Sequence, residues 1–372
     1  MTSMTATWHT VHVYYHAADK DSLLLDAVRP LLERIKGLTE AAYVVPHWRQ
    51  GPHLRLNIRT DEERWRDVRP RIDEIVGGHL RDHPSTAVLD QDSILRRHRL
   101  LAVREQEIGP LTPWPPDNSI QDAPFDPRRH VLGSEAAVEL LTSFYTDSTE
   151  LLFAMLEHVR DGRDDKGRLG MNLMLTVAHT AAPITRSFVS YRAHAEGYLT
   201  WAADPAASRA AFDRAYADRR TELTGRVRAV IAALDDPAAP AVPFVREWAG
   251  LLAAYRARIT PLLDSGELPL PMTDPAAPNE AAPRLGGVPV PQRLPGELHQ
   301  LILTSPAYHR AVFEQPAFLN YRVLLNYTYL HLTRMGLTPL DRFRLCHLTA
   351  NAVEDAYGLS AVELIRRSVE AG

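Results

Sequence analysis

The sequence predicts an α+β protein: a small N-terminal antiparallel or mixed sheet unit, ordered β-α-β-β-α, followed by a mostly helical body. Three observations lead there. Up to residue 60, stretches rich in Val and Tyr alternate apolar and polar side chains, interrupted by one helical pattern. After Ser134 the apolar positions recur at the helical period of about 3.6 residues. Between the two regimes lies a Pro-rich stretch that suits neither.

Each element follows from its local pattern. "WHTVHVYYH" (Trp8 to His16) alternates and reads as a strand. "DKDSLLLDAVRPLLERIKGL" opens on Asp, keeps a helical period and stops near Gly37, hence a helix. "AAYVVPHWRQ" and "PHLRLNIRT" are two strands joined antiparallel at "RQGP". An amphipathic helix runs from Asp61 to Leu80, with Thr60 and Asp61 at its start. This order is that of a ferredoxin-like or split βαβ unit. "LTPWPPDNSIQDAPFDPRR" (Leu111 to Arg129) reads as an irregular connector of functional length.

Helices are then expected over "EAAVELLTSFYTDSTELLFAMLEHV", "LGMNLMLTVAHTA", Ala206 to Leu234, Val242 to Leu263, Pro295 to Thr304, Leu319 to Met335, Pro339 to Tyr357 and Ser360 to Ala371. The segment "LPLPMTDPAAPNEAAPRLGGVPVPQRLP" interrupts them. Its prolines exclude regular structure, so a mobile surface loop over 268–296 is expected, with a lid as one use. The organisation is a sheet-containing unit at 1–110, a connector at 111–133 and a helical body at 134–372, forming one integrated domain.

Composition removes several function classes. A chain of 372 residues, 45% hydrophobic and 24% charged, is that of a soluble globular protein with a sizeable core. A net charge of -4 from nearly balanced acids and bases gives no support to a nucleic-acid partner. The single cysteine, Cys346, rules out an internal disulfide and fits a cytoplasmic location. No signal peptide opens the chain, and no apolar run reaches the roughly 18 residues of a membrane span. The 16 His are scattered without HExxH or paired-Cys spacing, so no metal is expected. Neither a dinucleotide fingerprint nor a phosphate loop occurs, so no cofactor is expected. "SFVSY" lacks the nucleophile elbow of an α/β-hydrolase.

Four polar rows stand out. In "GPHLRLNIRT", Arg55, Asn57 and Arg59 alternate with Leu54, Leu56 and Ile58, giving one apolar face and one carrying two guanidiniums around an amide. In "FLNYRVLLNYTYLHLTRMG", Tyr321, Leu325 and Thr328 share one side, and Arg322, Asn326, Tyr329 and Thr333 share another. That row is either a polar stripe facing a pocket or Tyr rings packed in the core with hydroxyls bonded outward. In "RLCHLTANAVEDAYG", His347, Asn351, Glu354 and Asp355 align. They offer either acid–base chemistry near neutrality or a structural His held by Asn or Glu. In "SYRAHAEGYL", Ser190, His194 and Gly197 share a side, while Arg192 and Glu196 form an i, i+4 pair whose default reading is a solvated, salt-bridged face.

Taken in order, "VHVYYHAADKDSLLLDAVRPLLERI", "YVVPHWRQGPHLRLNIR" and "RFRLCHLTANAVEDAYG" resemble the thiopeptide-type bacteriocin biosynthesis domain. That is the elimination domain of class I lantibiotic dehydratases, together with its stand-alone relatives. The departures are informative. In the elimination enzymes the strand reads His-x-Arg-x-Arg, and the second Arg handles the departing glutamyl ester; here that position is Asn57. Glu105 and Glu107 stand in "REQEIGPLTPWPP", but the family's Arg-Tyr-Gly-Gly does not follow. The C-terminal His is followed by Asn351 and Ala352 rather than Asn-Arg. An anionic leaving group calls for bidentate guanidiniums, and a neutral reactant does not.

The pattern is therefore similar to the thiopeptide pyridine synthases, stand-alone relatives that expel no glutamate. The Trp114 to Ser119 run and the helix around Tyr329 also look like that group. The resemblance implies a formal aza-[4+2] cycloaddition of two dehydroalanines, then loss of water and the leader peptide to form a pyridine macrocycle. The partner implied is a modified precursor peptide, with a leader and a core bearing azoles and dehydroalanines; a homodimer is left open. Acid–base work is assigned to Tyr329 and His347, with Tyr321 and Glu354 in support. Substrate contacts are expected from Trp48, Gln50, Arg55 and Asn57 of the hairpin, and from Ser190, Arg192, His194 and Asn326 of the helices. Leader recognition is assigned to the sheet unit, whose edge can accept a strand. Two other functions stay open: an elimination subunit of a split dehydratase, and a non-catalytic module that binds the leader.

Overall fold

The computed structural model describes residues 5–270 and 296–370. Residues 271–295 of the expected loop lie outside the described residues. The chain forms two compact units: one comprises the described residues through Asp161 together with Arg334–Gly336, the other most of the remainder.

The first unit holds a four-stranded antiparallel sheet in the order β2-β3-β1-β4, with β1 at Thr7–Tyr14, β2 at Ala41–His47, β3 at His53–Thr60 and β4 at Ser119–Ala123. Between β1 and β2 runs α1, a continuous helical segment made of Asp21–Leu23, a π turn at Leu24–Val28, and Arg29–Ile35. After β3 come α2 (Glu62–Asp82) and α3 (Gln91–Arg104). Asp61 caps α2 by accepting from the Arg64 N–H at 2.8 Å. The alternation read from the sequence gives the sheet its two faces. Val11, Val13, Leu54, Leu56, Ile58 and Val44 form the apolar one, buried along with Leu31, Ile35, Val68, Ile72 and Val76 of α1 and α2.

Two features differ from the expectation. The stretch read as an irregular connector contains β4, which pairs antiparallel with β1 from Thr10–Ala123 to Tyr14–Ser119. "SIQDA" has little strand character of its own, and the β1 ladder makes it a strand. The first unit also extends beyond residue 110, because α4 (Glu135–Asp147) and α5 (Thr149–Arg160) belong to it. Phe144 of α4 is buried, and the Tyr145 ring stacks on Tyr43 at 5.1 Å. Arg334 is buried in this unit with no carboxylate paired to it among the described residues. It donates to the Val44 carbonyl at 2.9 Å and to the Ser148 and Thr149 hydroxyls, each at 2.7 Å.

The hairpin turn between β2 and β3 depends on Gly51. Its φ is +99°, and a Cβ there would lie 3.2 Å from the Trp114 ring.

The second unit is helical: α6 (Lys166–Ala181), α7 (Val189–Trp201), α8 (Pro205–Ala217), α9 (Arg220–Asp235), α10 (Val245–Asp264), α11 (Pro316–Arg334, except its last residue), α12 (Pro339–Tyr357) and α13 (Ala361–Glu370). The ends of α12 match the sequence reading because its signals are local. Thr338 and Asp341 form a reciprocal capping box, Pro339 occupies the first turn, and Gly358 closes the helix at φ +64°. Trp248, Tyr255, Phe188, Tyr191, Leu173 and Leu324 are buried in its core. Among the described residues, no helix is long and apolar enough to cross a membrane.

Candidate active site

In the first unit, β-sheet register assembles the polar face. His12 lies opposite Arg55, Tyr14 opposite His53 and Thr10 opposite Asn57; on the other side of β3, Tyr43 faces Asn57 and His47 faces His53. The imidazoles of His12 and His53 stack at 4.4 Å, with Tyr14 and His47 at 4.9 and 5.3 Å from His53. Asn57 is buried and accepts from the Thr10 hydroxyl at 2.7 Å. A neutral amide thus occupies the site of the second arginine without an unpaired charge.

Arg55 is 6% exposed, and its Nη1 reaches Asp126 at 3.4 Å, while Nε and Nη2 have no hydrogen-bond partner among the described residues. Burial lowers its pKa. Burial, followed by the Arg55 charge, lowers His12 to about 3, and burial lowers His47 to about 4. His53 is pushed well below its ordinary value by burial and by its two His neighbours. The arginine therefore sits among neutral rings. Burial alone would raise Glu107, but its hydrogen bond to His47 and the Arg128 and Arg55 charges hold it at about 2. Of the other hairpin candidates, Trp48 donates to Glu105 at 2.9 Å and Gln50 to the Pro113 carbonyl at 3.3 Å, so both fasten the turn.

In the second unit α7 is the hub. Ser190 and His194, one turn apart, reach α11, while Arg192 reaches α12. Tyr321 lies 2.6 Å from Ser190 Oγ, and that hydroxyl donates to the Ser187 carbonyl at 2.8 Å, so Tyr321 is the donor of the pair. The Tyr329 hydroxyl lies 2.7 Å from His194 Nδ1 and 3.3 Å from Cys346 Sγ, and the Arg342 guanidinium sits 5.0 Å from its ring centre. Burial, followed by the Arg342 charge, lowers His194 to about 4. Burial raises Tyr321 and Tyr329 and pushes Cys346 up to about 12. The His194 tautomer sets the direction: with Nδ1 bare, Tyr329 donates to the imidazole and is free to accept from the thiol, and with Nδ1 protonated it accepts from the imidazole and donates to the sulfur.

Arg192 is 8% exposed and donates to Asn351 Oδ1 and to the Glu354 carboxylate, which corrects the reading of this row as a solvated face. That bond turns the Asn351 amide nitrogen toward His347 Nε2 at 2.9 Å, while Asp213 of α8 stands 2.8 Å from the same nitrogen. Nε2 either donates to Asp213 or accepts from Asn351, so this histidine has two bonding states. Burial and the Arg192 charge lower its pKa, and Asp213 opposes them.

The three helical rows thus divide. Tyr329 is joined to His194, and His347 to Asp213 and Asn351, rather than the two to each other. Asn326 is exposed and Arg322 half-buried. Sequence reasoning missed His47, His53, Arg342 and Asp213 as site residues. His53 alternates along β3 with Arg55 and Asn57, a legible signal; Asp213 lies among surface charges and gave none.

The family of the lantibiotic biosynthesis dehydratase C-terminal domain matches residues 8–353, and the chain belongs to it. Two solved structures are similar over nearly their whole length. The pyridine synthase TbtD from thiomuracin biosynthesis is 34% identical, covering 95% of this chain and 99% of that one at a TM-score of 0.75. TsrL is 25% identical, covering 98% of this chain and 99% of that one at a TM-score of 0.71. No curated protein gives a sequence match.

Proposed function

We propose that the protein is a thiopeptide pyridine synthase: an enzyme that joins two dehydroalanines of a modified precursor peptide and expels water and the leader to form a pyridine macrocycle. The likeness to TbtD, end to end in both chains, carries this reading. The neutral hydroxyl and imidazole pairs of the helical unit fit the chemistry it requires.

The reaction begins with one backbone amide moving its proton from nitrogen to oxygen, which creates the azadiene. The two alkenes then close the ring. Loss of the hydroxyl as water and of the leader as its amide leaves an aromatic pyridine. Tyr329 is the proposed donor to the amide oxygen, with Tyr321 second; burial keeps both protonated. His194, unprotonated and 2.7 Å from Tyr329, is the neighbour able to take the amide proton. His347 serves the departure steps, held by Asp213 and Asn351, while Arg192 fixes Asn351 and Glu354. Holding both alkenes in reacting geometry supplies the rest of the acceleration.

Arg55 and the exposed Asn326 are the proposed peptide contacts. Asn57, Ser190 and Arg192 order the groups around them, and Trp48 and Gln50 shape the hairpin end. The leader is proposed to add a strand to the sheet, whose edges are β2 and β4. A Gln121→Pro change in β4 should weaken binding of a labelled leader; unchanged binding places it off this edge. A cytoplasmic location accompanies this reading.

Mass spectrometry on a dehydroalanine-containing precursor decides among the functions. Pyridine synthesis gives a macrocycle and a free leader, glutamate elimination gives loss of glutamate, and a binding module gives no mass change. Elimination is disfavoured by Asn57, which is buried and bonded to Thr10 where that chemistry uses a guanidinium.

A further inference from the structure

A cavity of about 250 Å³ in the helical unit belongs to none of the groups described above. It is lined by Arg256, Thr260, Leu263 and Asp264 of α10, Ala181 at the end of α6, and Pro316, Ala317 and Asn320 of the first turns of α11. Its walls combine aliphatic surface, the exposed Asp264 carboxylate and two further groups of defined hydrogen-bonding sense.

Asn320 supplies the first. It is 5% exposed, and its amide nitrogen donates to the Thr260 hydroxyl at 2.9 Å and to the Arg256 carbonyl at 3.3 Å. The Thr260 hydroxyl itself donates to that carbonyl at 2.9 Å. A carbonyl only accepts, so the amide cannot be turned over, and its oxygen is an acceptor by necessity. That oxygen is buried and has no hydrogen-bond partner among the described residues. The Arg256 side chain supplies the second, a cationic donor that burial shifts to lower pKa; Asp264 lines the same cavity, but no carboxylate is paired to Arg256 among the described residues.

We infer that this cavity is a subsite for an amide group of a peptide, whose carbonyl accepts from the Arg256 guanidinium and whose N–H donates to the Asn320 carbonyl oxygen. A bare carboxylate would satisfy the arginine and leave the asparagine oxygen unpaired, and a bare ammonium would do the reverse. An amide answers both. Ala181, Leu263, Pro316 and Ala317 offer apolar contact to the flanking carbon atoms. The volume suits roughly one or two residues of a peptide, far less than a whole precursor. The assignment of the ligand as substrate peptide rests on the proposed function; the amide chemistry does not.

The test uses the intact chain with methyl-labelled Ala and Leu, titrated with acetyl-alanyl-alanine amide and, separately, with sodium acetate. The Ala181, Leu263 and Ala317 methyl signals should shift and saturate with the amide, and the shifts should vanish in Arg256→Met and in the cavity-filling Ala317→Leu. Methyl shifts with acetate alone would make this an anion site and overturn the inference, as would no shift with either probe. With precursor peptide, both variants should raise KM several-fold and leave kcat unchanged. An unchanged KM despite probe binding removes the peptide substrate from this site, whereas failure of the wild type to convert the precursor refutes only the proposed function.

Discussion

The Tyr329 hydroxyl stands 2.7 Å from Nδ1 of His194, with the Cys346 sulfur 3.3 Å away. Burial raises the tyrosine and the cysteine and lowers the histidine, so all three are neutral at pH 7. A neutral hydroxyl–imidazole pair can pass a proton to and from an amide without first separating charge.

If that pair carries the tautomerisation, Tyr329→Phe should lower turnover by about a hundred-fold while keeping the ring in place. His194→Gln should lose a similar amount, and the double variant little more than either single one, because both serve one proton path. Single-turnover mass spectrometry reads all three. Conversion within a few-fold of wild type in both single variants would place the chemistry elsewhere.

His347 acts later in the scheme, so His347→Ala should accumulate a cyclised peptide that still bears its leader. Asp213 opposes the burial and the Arg192 charge that lower His347. Asp213→Asn should therefore lower the His347 pKa further and, because a proton donor to the leaving groups is lost as pH rises through its pKa, move the alkaline limb of the pH–rate profile to lower pH. An unmoved limb would deny Asp213 a positioning role.

Arg55 is costly to bury and is incompletely bonded, which is the pattern of a residue kept for contact rather than stability. Arg55→Met should leave the thermal midpoint unchanged or raised while lowering turnover at least about ten-fold. Lowered stability together with wild-type turnover per folded molecule would make it structural.

The three imidazoles around Arg55 set the acid stability of the sheet unit. Their folded pKa values lie below the ordinary 6.5, at about 3 for His12, about 4 for His47 and well below 6.5 for His53. Between these values and 6.5 the unfolded chain binds protons that the folded chain does not, so stability falls as pH drops through that window. Glu107, held at about 2 against an ordinary 4.5, adds its own loss only below 4.5. Urea midpoints should decline from pH 7 to 4.5, and His12→Gln should make the decline shallower. A flat profile would contradict this electrostatic picture.

Periodicity and local end signals made much of this molecule legible from its residues. The β2–β3 hairpin, the alternation that puts Arg55 and Asn57 on one face of β3, and the helix Pro339–Tyr357 with its Thr338 cap and Gly358 stop all depend on residues a few positions apart. The helical rows holding Tyr321, Tyr329, His347 and Arg192 were visible for the same reason.

Partnership was not visible. His194 meets Tyr329 across 135 residues and His347 meets Asp213 across 134, and no spacing rule links side chains that far apart. Periodicity says which side of a helix a residue occupies, but packing decides which neighbour lies on that side. Arg192 read as a solvated charge until α12 covered it, and "SIQDA" read as a connector until β1 supplied the other half of its ladder. Local order follows from short-range sterics and hydrogen bonds written into adjacent residues. Burial, pairing and the shifted protonation of the candidate site exist only once distant segments share one core.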